Sequence, residues 1–376
     1  MVDYLEQNSE NSNLIRLTNG FYAACRNGSV KILNVLMKNP QVEAMFQEKD
    51  IDGYTGFMLA CKFGKKEIVQ ACLQHSKAET IIKAKDKYGR TGFMISCYEG
   101  RMEVVEVCLQ DRMAKTMIHA EDTYGKTGFI IACYEGRKEI VEACLQHPSL
   151  SDTMIQAKDS NGYTGLMLAL KWGKKEIVEA YLSHTEMTLK TMIERENNCF
   201  LWACKNGYGK IWTACLKHSL VATLIQVSNN EGSTGFIIAC FEGRIDIVEA
   251  CLQHDMAETM IQAKDRDGYT GFINACHQGE KEVVQACLQH HMAETMIQAK
   301  ANNDGLTGFM IACKKGRKEI VRECLQHHLA EKMIQATNNE GKTGYMIASF
   351  RGHKEILDIF NALATSISHF PSCDES

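Results

Sequence analysis

Hydrophobic and polar positions recur along the chain with a period close to 36 residues. An aromatic residue or a leucine marks each period, and a glycine follows seven residues after every marker. The markers are Phe21, Phe57, Phe93, Phe129, Leu166, Phe200, Phe236, Phe272, Phe309 and Tyr345, and they number repeats one to ten. A fixed period of this length predicts stacked structural units, each packing on its neighbours, rather than one large core.

Each period predicts a turn followed by two helices, as repeat eight illustrates. The pair Asp267-Gly268 favours a turn, and Thr270 is a good helix N-cap. The apolar stretch Phe272–Cys276 predicts a short first helix, which Gly279 ends in a left-handed conformation. The second helix starts near Glu282. Its buried stripe at helical spacing is Val283, Val284, Cys287 and Leu288.

The residues after the second helix predict a further element. Ser76-Lys77-Ala78-Glu79 has the pattern of a capping box. Pro148, directly after His147, predicts that the second helix ends there. We therefore predict a short third helical turn in each repeat, built on apolar pairs such as Met260-Ile261. A one-turn extension of the second helix is the alternative.

These units resemble the ankyrin repeat. The string Thr-Gly-Phe-Met-Ile-Ala-Cys at 307–313 stands where that family has Thr-Pro-Leu-His-x-Ala. Gly-Arg-Lys-Glu-Ile-Val, at 136–141 and 316–321, matches the start of the family's second helix. The resemblance extends over about residues 14–364 and implies an all-α ankyrin-repeat solenoid of helix-turn-helix units with hairpin-like loops.

Three features depart from the family pattern. Glycine replaces the usual proline, which predicts a looser start of the first helix. Met or another apolar residue replaces the usual histidine, so the hydrogen bond that the family's imidazole makes between turns is lost. The unit has 36 residues where the family has about 33.

The repeats predict a division of the chain into four parts. These are an N-terminal cap or tail (1–13), repeats one to five (14–193), repeats six to ten (194–364) and a C-terminal tail (365–376). Lys31 and Lys210 stand where the other repeats have Glu or Asp, which indicates that repeat six opens a second, duplicated block. The stack would then bend or flex near 194–200, unless the irregularity there is merely tolerated.

Composition limits the classes of partner. The 42 basic and 46 acidic residues leave a formal net charge of −4, which argues against nucleic acid as the main partner. Neither a secretory signal nor an apolar stretch long enough to cross a membrane is present, so we expect no membrane association. Seventeen cysteines without a signal predict free thiols and a cytoplasmic or nuclear location.

Two columns of cysteine recur, one in the first helix and one in the second. Equivalent residues of stacked helices lie about 8–10 Å apart, too far for a disulfide, so we interpret both columns as core packing. The recurring Cys-x-x-His, as in Cys72/His75, does not bring four ligands to one zinc ion. Its histidine is expected near the negative end of the helix dipole. Cys199 and Cys373 fall outside the columns and are the better candidates for reactive thiols.

No motif for nucleophilic catalysis, phosphate binding or dinucleotide binding occurs, so the sequence predicts no catalytic residue, no cofactor and no metal site. The resemblance implies that turn tips and first helices line a concave groove. Residues after the core cysteine vary between repeats, and aromatic side chains are common at binding hot spots. The candidate partner-binding residues are Phe63, Tyr98, Glu99, Tyr134, Glu135, Trp172, Phe241 and Lys314, with Tyr54, Tyr88, Tyr124, Tyr163 and Tyr269 at the tips.

The alternative for these rings is that they pack on the neighbouring repeat. The charged residues next to these candidates, such as Glu99 and Lys315, predict a groove that is more acidic at repeats three, four and seven and more basic at repeat nine. We interpret the chain as a scaffold or adaptor that binds a protein or peptide without catalysis. An inhibitory or regulatory subunit that masks a transcription factor or an enzyme, and a mechanical spacer, are the alternatives. The sequence leaves the oligomeric state open.

Overall fold

A computed structural model of the protein describes residues 2–183, 197–219 and 221–366. The chain divides into an N-terminal unit, Met1–Leu189, and a C-terminal unit, Lys190–Ser376. Residues 194–196 of the segment 194–200, where we predicted a bend, and the tail beyond residue 366 lie outside the described residues. The side chains of Cys199 and Cys373 lie outside them as well.

The predicted all-α repeat architecture is confirmed, with a first, a second and a third helix in the repeats. The first helices are Val2–Asn27, Gly56–Lys62, Gly92–Glu99, Gly128–Glu135, Gly165–Lys171, Asn197–Lys205, Gly235–Phe241, Gly271–Gln278, Gly308–Lys315 and Gly344–Arg351. The second helices are Val30–Leu36, Lys66–Gln74, Met102–Gln110, Lys138–Leu145, Lys175–Leu182, Gly209–Leu216, Ile245–Leu252, Lys281–Gln289, Lys318–Gln326 and Lys354–Ser366. In repeat one, the first helix runs through most of the segment that we assigned to a cap or tail.

The third helix is separate from the second in every repeat where it is described. These helices are Val42–Gln47, Ala78–Lys83, Ala114–His119, Ser151–Gln156, Val221–Leu224, Ala257–Gln262, Ala293–Gln298 and Ala330–Gln335. In repeat two, extended backbone at His75 ends the second helix before the third begins. The prediction of a third helical turn is therefore confirmed, and the alternative of a longer second helix is wrong.

Local interactions set the limits of the first helix. The hydroxyl of Thr270 accepts a hydrogen bond from the N–H of Ile273 at 3.4 Å, as expected of an N-cap. The helix ends at Gly279, whose φ of +91° lies in the left-handed region that favours glycine. Both features were predicted from the sequence of repeat eight, and they recur in most of the other repeats.

Glycine at the start of the first helix is required by the preceding repeat. A Cβ atom built on Gly92 would lie 2.5 Å from Cε1 of Phe57 and 2.9 Å from Sγ of Cys61. Gly128 meets Phe93 in the same way, at 2.6 Å. A threonine cap still forms beside the glycine, and the looser helix start stays a prediction. The missing side chain makes room for the neighbouring phenylalanine.

The two cysteine columns lie in the core, as predicted. Fifteen cysteines are buried as free thiols. Where an aromatic residue enters the core beside a column, its polar atom reaches a sulfur. Tyr181 lies with its hydroxyl 3.7 Å from Sγ of Cys133, and Trp212 donates its indole N–H to Sγ of Cys251 at 3.0 Å. The columns thus serve as small apolar packing elements that also accept weak hydrogen bonds.

A histidine after the second helix links neighbouring repeats. Nε2 of His290 lies 3.0 Å from the carbonyl oxygen of Leu252, and Nδ1 accepts from the N–H of Met292 at 3.2 Å. Since Nδ1 accepts, the proton must be on Nε2, which donates to the preceding repeat. His254 makes the corresponding pair of bonds to Leu216 and Met256.

The equivalent histidine of repeat two, His75, shows that the predicted capping box is wrong. In repeat two, the third helix has Lys77 at its N-cap, and no side-chain hydrogen bond is made there by Lys77. Nδ1 of His75 accepts from the N–H of Lys77 at 3.1 Å. The pattern Ser76–Glu79 is therefore not a capping box, because the imidazole of the Cys-x-x-His motif already supplies the acceptor.

Candidate functional site

The turn tips and the last turns of the first helices lie side by side in each repeat. We call the surface formed by these two segments the tip face of each unit. Two positions define it: the residue just before the N-cap threonine, and the residue eight places later, just after the core cysteine. In repeat two these are Tyr54 and Lys62.

These two positions carry one aromatic ring and one cation in half of the repeats, in either order. The cation lies over the ring: Lys62 over Tyr54 (4.5 Å to the ring centroid), Arg90 over Tyr98 (5.4 Å), Lys126 over Tyr134 (4.2 Å), Lys171 over Tyr163 (4.7 Å) and Lys342 over Phe350 (5.7 Å). A cation within about 6 Å of a ring centroid is attracted to its face, by about 0.5–1 kcal/mol at exposed sites. The sequence carried this signal, which becomes visible when the two positions are compared between repeats.

In the N-terminal unit, side-chain contacts join the rings of repeats two to five in two groups. Arg90 lies near the rings of Tyr88 and Tyr98 and donates to the hydroxyl of Tyr54 at 3.2 Å. Tyr134 and Trp172 meet edge to face, with centroids 5.8 Å apart. Five of the predicted binding residues are therefore brought together in two groups, Tyr54, Tyr88 and Tyr98 around Arg90, and Tyr134 with Trp172.

The exposed fractions of the tip-face rings show whether these rings pack on neighbouring residues or face solvent. Tyr98 is 39% exposed and Trp172 is 53% exposed, although both make ring contacts. Arg90 of the same repeat therefore covers part of Tyr98, and Tyr134 of the preceding repeat covers part of Trp172, while the rest of each ring stays open to solvent. Such rings are held in position before a partner arrives, which lowers the entropy cost of binding.

Backbone contacts fix the spacing of the tips. The carboxylate oxygen Oδ1 of Asp86 accepts from the N–H groups of Tyr88 and Arg90, at 2.9 Å and 2.8 Å. The carbonyl of Tyr88 accepts from the N–H of Thr123 in the next tip at 3.1 Å. Nε of Arg137 donates to the carbonyl of Tyr98 at 2.9 Å, so the last turns of the first helices are tied together as well.

The remaining predicted residues lie on the tip faces in different settings. Phe63 is partly buried under the guanidinium of Arg26, whereas Tyr124 is 63% exposed. Glu99 and Glu135 are partly buried beside the paired tyrosines of repeats three and four. Lys314 forms an ion pair with Asp304 at 3.3 Å, which partly offsets the basic character predicted for repeat nine.

A cavity of about 430 Å³ opens on the tip face of the C-terminal unit, between repeats six, seven and eight. The predicted residues Phe241 and Tyr269 line it together with Trp202. Its acidic residues are Glu231, Glu242, Asp265 and Asp267. Sequence reasoning found two of the three rings but not the cavity.

One signal for the cavity was present in the sequence. Asn274 is polar at a position where every other repeat is apolar, for example Ile238 and Ile311 in its two neighbours. Asn274 is 6% exposed and lines the cavity. Its amide donates to the carbonyl of Thr270 at 3.2 Å and to Oδ2 of Asp265 at 3.4 Å. The buried amide thus holds one carboxylate of the cavity in place.

Burial shifts the pKa values of His277 and of the core thiol Cys72. Burial lowers the pKa of His277, assisted by the positive charges of Lys315, Arg317 and Lys314. Burial likewise raises the pKa of Cys72 to about 12, so that this thiol stays protonated and is a poor nucleophile. Within the described residues, no group of three or more His, Cys, Asp or Glu side chains could hold a metal ion.

No described helix is both long enough and apolar enough to cross a bilayer.

A comparison with curated protein sequences gave no match. A family model described as ankyrin repeats in three copies matches residues 21–116, 108–192 and 272–367. The matches leave 193–271, with the irregular repeat six, between them. They cover well over half of the chain, and the protein therefore belongs to the ankyrin-repeat family.

Proposed function

We propose that this protein is a scaffold that binds a protein or peptide partner on its tip faces and catalyses no reaction. Ankyrin repeats are generally protein-interaction modules and are typically non-catalytic. The observation that carries the proposal is the contrast between two sets of residues. The buried glycines, phenylalanines and cysteines repeat, whereas the tip-face side chains differ from repeat to repeat.

The tip face of the N-terminal unit supports this proposal energetically. Tyr98, Tyr134 and Trp172 are large side chains that residues of the same chain already hold in place. Aromatic residues of this kind dominate the free energy of many protein interfaces, because they bury a large area at a small cost in conformational entropy. A mechanical spacer has no need of rings that are positioned and yet partly exposed.

The proposal also concerns the compartment. Fifteen buried cysteines are free thiols. A protein that keeps so many unpaired thiols is suited to a reducing environment, since disulfides are favoured in oxidising compartments. On this basis we propose a cytoplasmic or nuclear location, which localisation of a tagged protein would test.

The binding face is tested by affinity capture from native lysate with three forms of the protein. The first is the unaltered protein and the second carries Tyr98→Ala, Tyr134→Ala and Trp172→Ala. The third is a matched control with three exposed third-helix residues changed, Thr80→Ala, Thr153→Ala and Gln156→Ala. The carbonyl of residue 98 remains available to Arg137 in the second variant, so the link between repeats persists.

We expect the tip-face variant to lose the captured partners and the control to keep them. Far-ultraviolet circular dichroism must show equal helix content for all three proteins. If the folded tip-face variant captures the same partners as the unaltered protein, the proposed binding face is wrong. Loss of the partners in the control alone would place the interface on the third helices.

A further inference from the structure

We propose that the cavity of the C-terminal unit receives an arginine or lysine side chain of the bound partner. This inference rests on the proposed function and names the chemistry that one part of the tip face recognises. The cavity is the one between repeats six, seven and eight, lined by Trp202, Phe241 and Tyr269. The argument begins with the pairing of cations and rings along the chain.

Repeat seven has the ring of this pairing but not the cation. Phe241 occupies the position that Tyr134 has in repeat four and Phe350 has in repeat ten. Those rings lie under Lys126 and Lys342. The corresponding residue in repeat seven is Ser233, which is too short to reach over a ring and carries no charge. Among the described residues no cation lies over Phe241, which is 40% exposed.

The carboxylates around this ring lack internal cations as well. Glu231, Asp265 and Asp267 form no ion pair with any described residue, whereas Asp86, the counterpart of Asp265 in repeat three, binds Arg90 at 2.8 Å. In repeat eight, Oδ2 of Asp265 accepts instead from the amide of Asn274. The acidic cavity is therefore not neutralised from within repeats seven and eight.

The positive charge available inside the cavity is small. Lys205 reaches Glu242 at 3.9 Å, close to the limit of an ion pair, and 62% of its side chain is exposed. His277 is held toward its neutral form, because burial and nearby cations lower its pKa. Lys314, Lys315 and Arg317, the cations near His277, are not among the lining residues. In the lining itself, four carboxylates face a single lysine, and this excess of negative charge favours a cationic guest.

The shape of the cavity suits a long basic side chain. A volume of about 430 Å³ exceeds what one guanidinium or ammonium group needs, and leaves room for the aliphatic stem. A guest that reached Phe241 would occupy the place that Lys126 occupies over Tyr134, 4.2 Å from the ring centroid. The stem would then lie against Trp202 and Tyr269, while the charge met Asp265 and Glu231.

The test uses the full chain and a pair of small probes. N-acetyl-arginine amide carries the guanidinium, and N-acetyl-citrulline amide is its neutral counterpart of nearly the same shape. Binding is followed by the indole N–H resonance of Trp202, which Trp202→Phe identifies. We expect a saturable shift with the arginine probe and at least about tenfold weaker binding of the citrulline probe, since charge contributes to both the ring and carboxylate contacts.

Three variants sharpen the result. Ser233→Lys supplies the missing internal cation and is expected to weaken binding of the arginine probe at least about tenfold. Gln262→Lys adds the same charge to the exposed third helix of repeat seven and should leave binding unchanged. Glu231→Gln removes an exposed carboxylate without altering charge elsewhere, and should weaken binding even if Ser233→Lys disturbs the fold.

The inference is overturned if the two probes bind equally, if the arginine probe produces no shift, or if folded Glu231→Gln binds the probe as tightly as the unaltered protein. Each of these outcomes leaves the scaffold proposal standing as long as the lysate capture depends on Tyr98, Tyr134 and Trp172. If the capture does not depend on these three residues but the arginine probe still binds, the proposed binding face of the N-terminal unit is wrong and the proposal for the cavity stands.

Discussion

The ring of Phe57 occupies the place where a side chain at residue 92 would begin. Its Cε1 atom lies 2.5 Å from an ideal Cβ on Gly92, a distance that real Cβ atoms essentially never show. The same relationship joins Phe21 to Gly56 and Phe93 to Gly128. Glycine and phenylalanine in adjacent repeats are therefore one packing feature, and they explain why this chain departs from the proline of the family pattern.

Gly92→Ala is expected to destabilise the protein by about 1–3 kcal/mol, because an added methyl group in a tightly packed core forces side chains or backbone to move. Gly20→Ala is the matched control. Gly20 has the same place in repeat one, but a Cβ there meets nothing within 4 Å. It lies inside the helix Val2–Asn27, so alanine should stabilise that helix by about 0.5–1 kcal/mol.

The two substitutions are compared by urea unfolding and by hydrogen exchange of the peptides that contain the first helices of repeats two and three. Opposite signs for Gly92→Ala and Gly20→Ala support the packing relationship. A Gly92→Ala protein as stable as the unaltered one would refute it. In Phe57→Leu/Gly92→Ala, the smaller leucine should make the alanine less costly than it is beside phenylalanine.

The histidines between repeats predict a dependence of stability on pH. Burial lowers the pKa of His290 and of His327 below the ordinary value of 6.5, and the adjacent His291 and His328 act in the same direction. The folded state therefore binds fewer protons than the unfolded state near pH 6. Their contribution to stability is complete above pH 6.5 and is lost as the pH falls below it.

The chain offers its own control for this effect. Asp111 stands in place of the histidine in repeat three and accepts from the N–H of Met113 at 2.8 Å. His290→Asp/His327→Asp should keep the start of the third helices but lose the bonds to the preceding repeats. Melting temperatures between pH 8 and pH 5 should therefore fall less steeply for this variant. A protein whose stability rises as the pH falls through 6 would contradict the role of the imidazoles.

The cation and the ring of a tip-face pair should be interchangeable. Repeat five has Tyr163 before Lys171, and repeat four has Lys126 before Tyr134. In the double variant Lys126→Tyr/Tyr134→Lys the pair is restored in reversed order, whereas each single change removes it. A double-mutant cycle in urea should give a favourable coupling free energy of about 0.5–1 kcal/mol. Additive effects of the two changes would show that the contact contributes nothing.

The core thiols should be unreactive in the folded protein. Burial raises the pKa of Cys108 and of Cys144 to about 12, so the reactive thiolate is scarce, and the sulfur is also inaccessible. Isotope-coded alkylation at pH 8, read by mass spectrometry at each cysteine, should label the fifteen column cysteines only after urea is added. Rapid labelling of Cys108 in the native protein would contradict the packing.

The fold could be predicted from the sequence because its strongest signals are local and repeated. Gly279 and Thr270 each specify a helix boundary by their own chemistry. Equivalent residues in the other repeats give the same signal again. The third helix was predicted from the apolar pairs such as Met260-Ile261, which are buried as expected. The capping box was wrong because His75, two residues before the N-cap, accepts the hydrogen bond that the pattern assigned to a serine.

The tip faces were harder to predict, because their features depend on contacts between residues of different segments. The pairing of Lys126 with Tyr134 is readable only when two positions are compared between repeats. The cavity depends on the short side chain of Ser233 and on neighbouring repeats that leave its space open. Lys314 was predicted as a partner-binding residue, but its ion pair with Asp304 could not be inferred from spacing alone.

The central claim is that the tip faces, and not the third helices, contact a protein partner. Footprinting with a photoactivated carbene on the purified complex and on the free protein tests it most directly. We predict that the partner protects the peptides with Tyr98, Tyr134 and Trp172 from labelling and leaves those with Thr80 and Gln156 unchanged. Protection confined to the third helices, with Tyr98 and Trp172 labelled equally in both states, would contradict the claim.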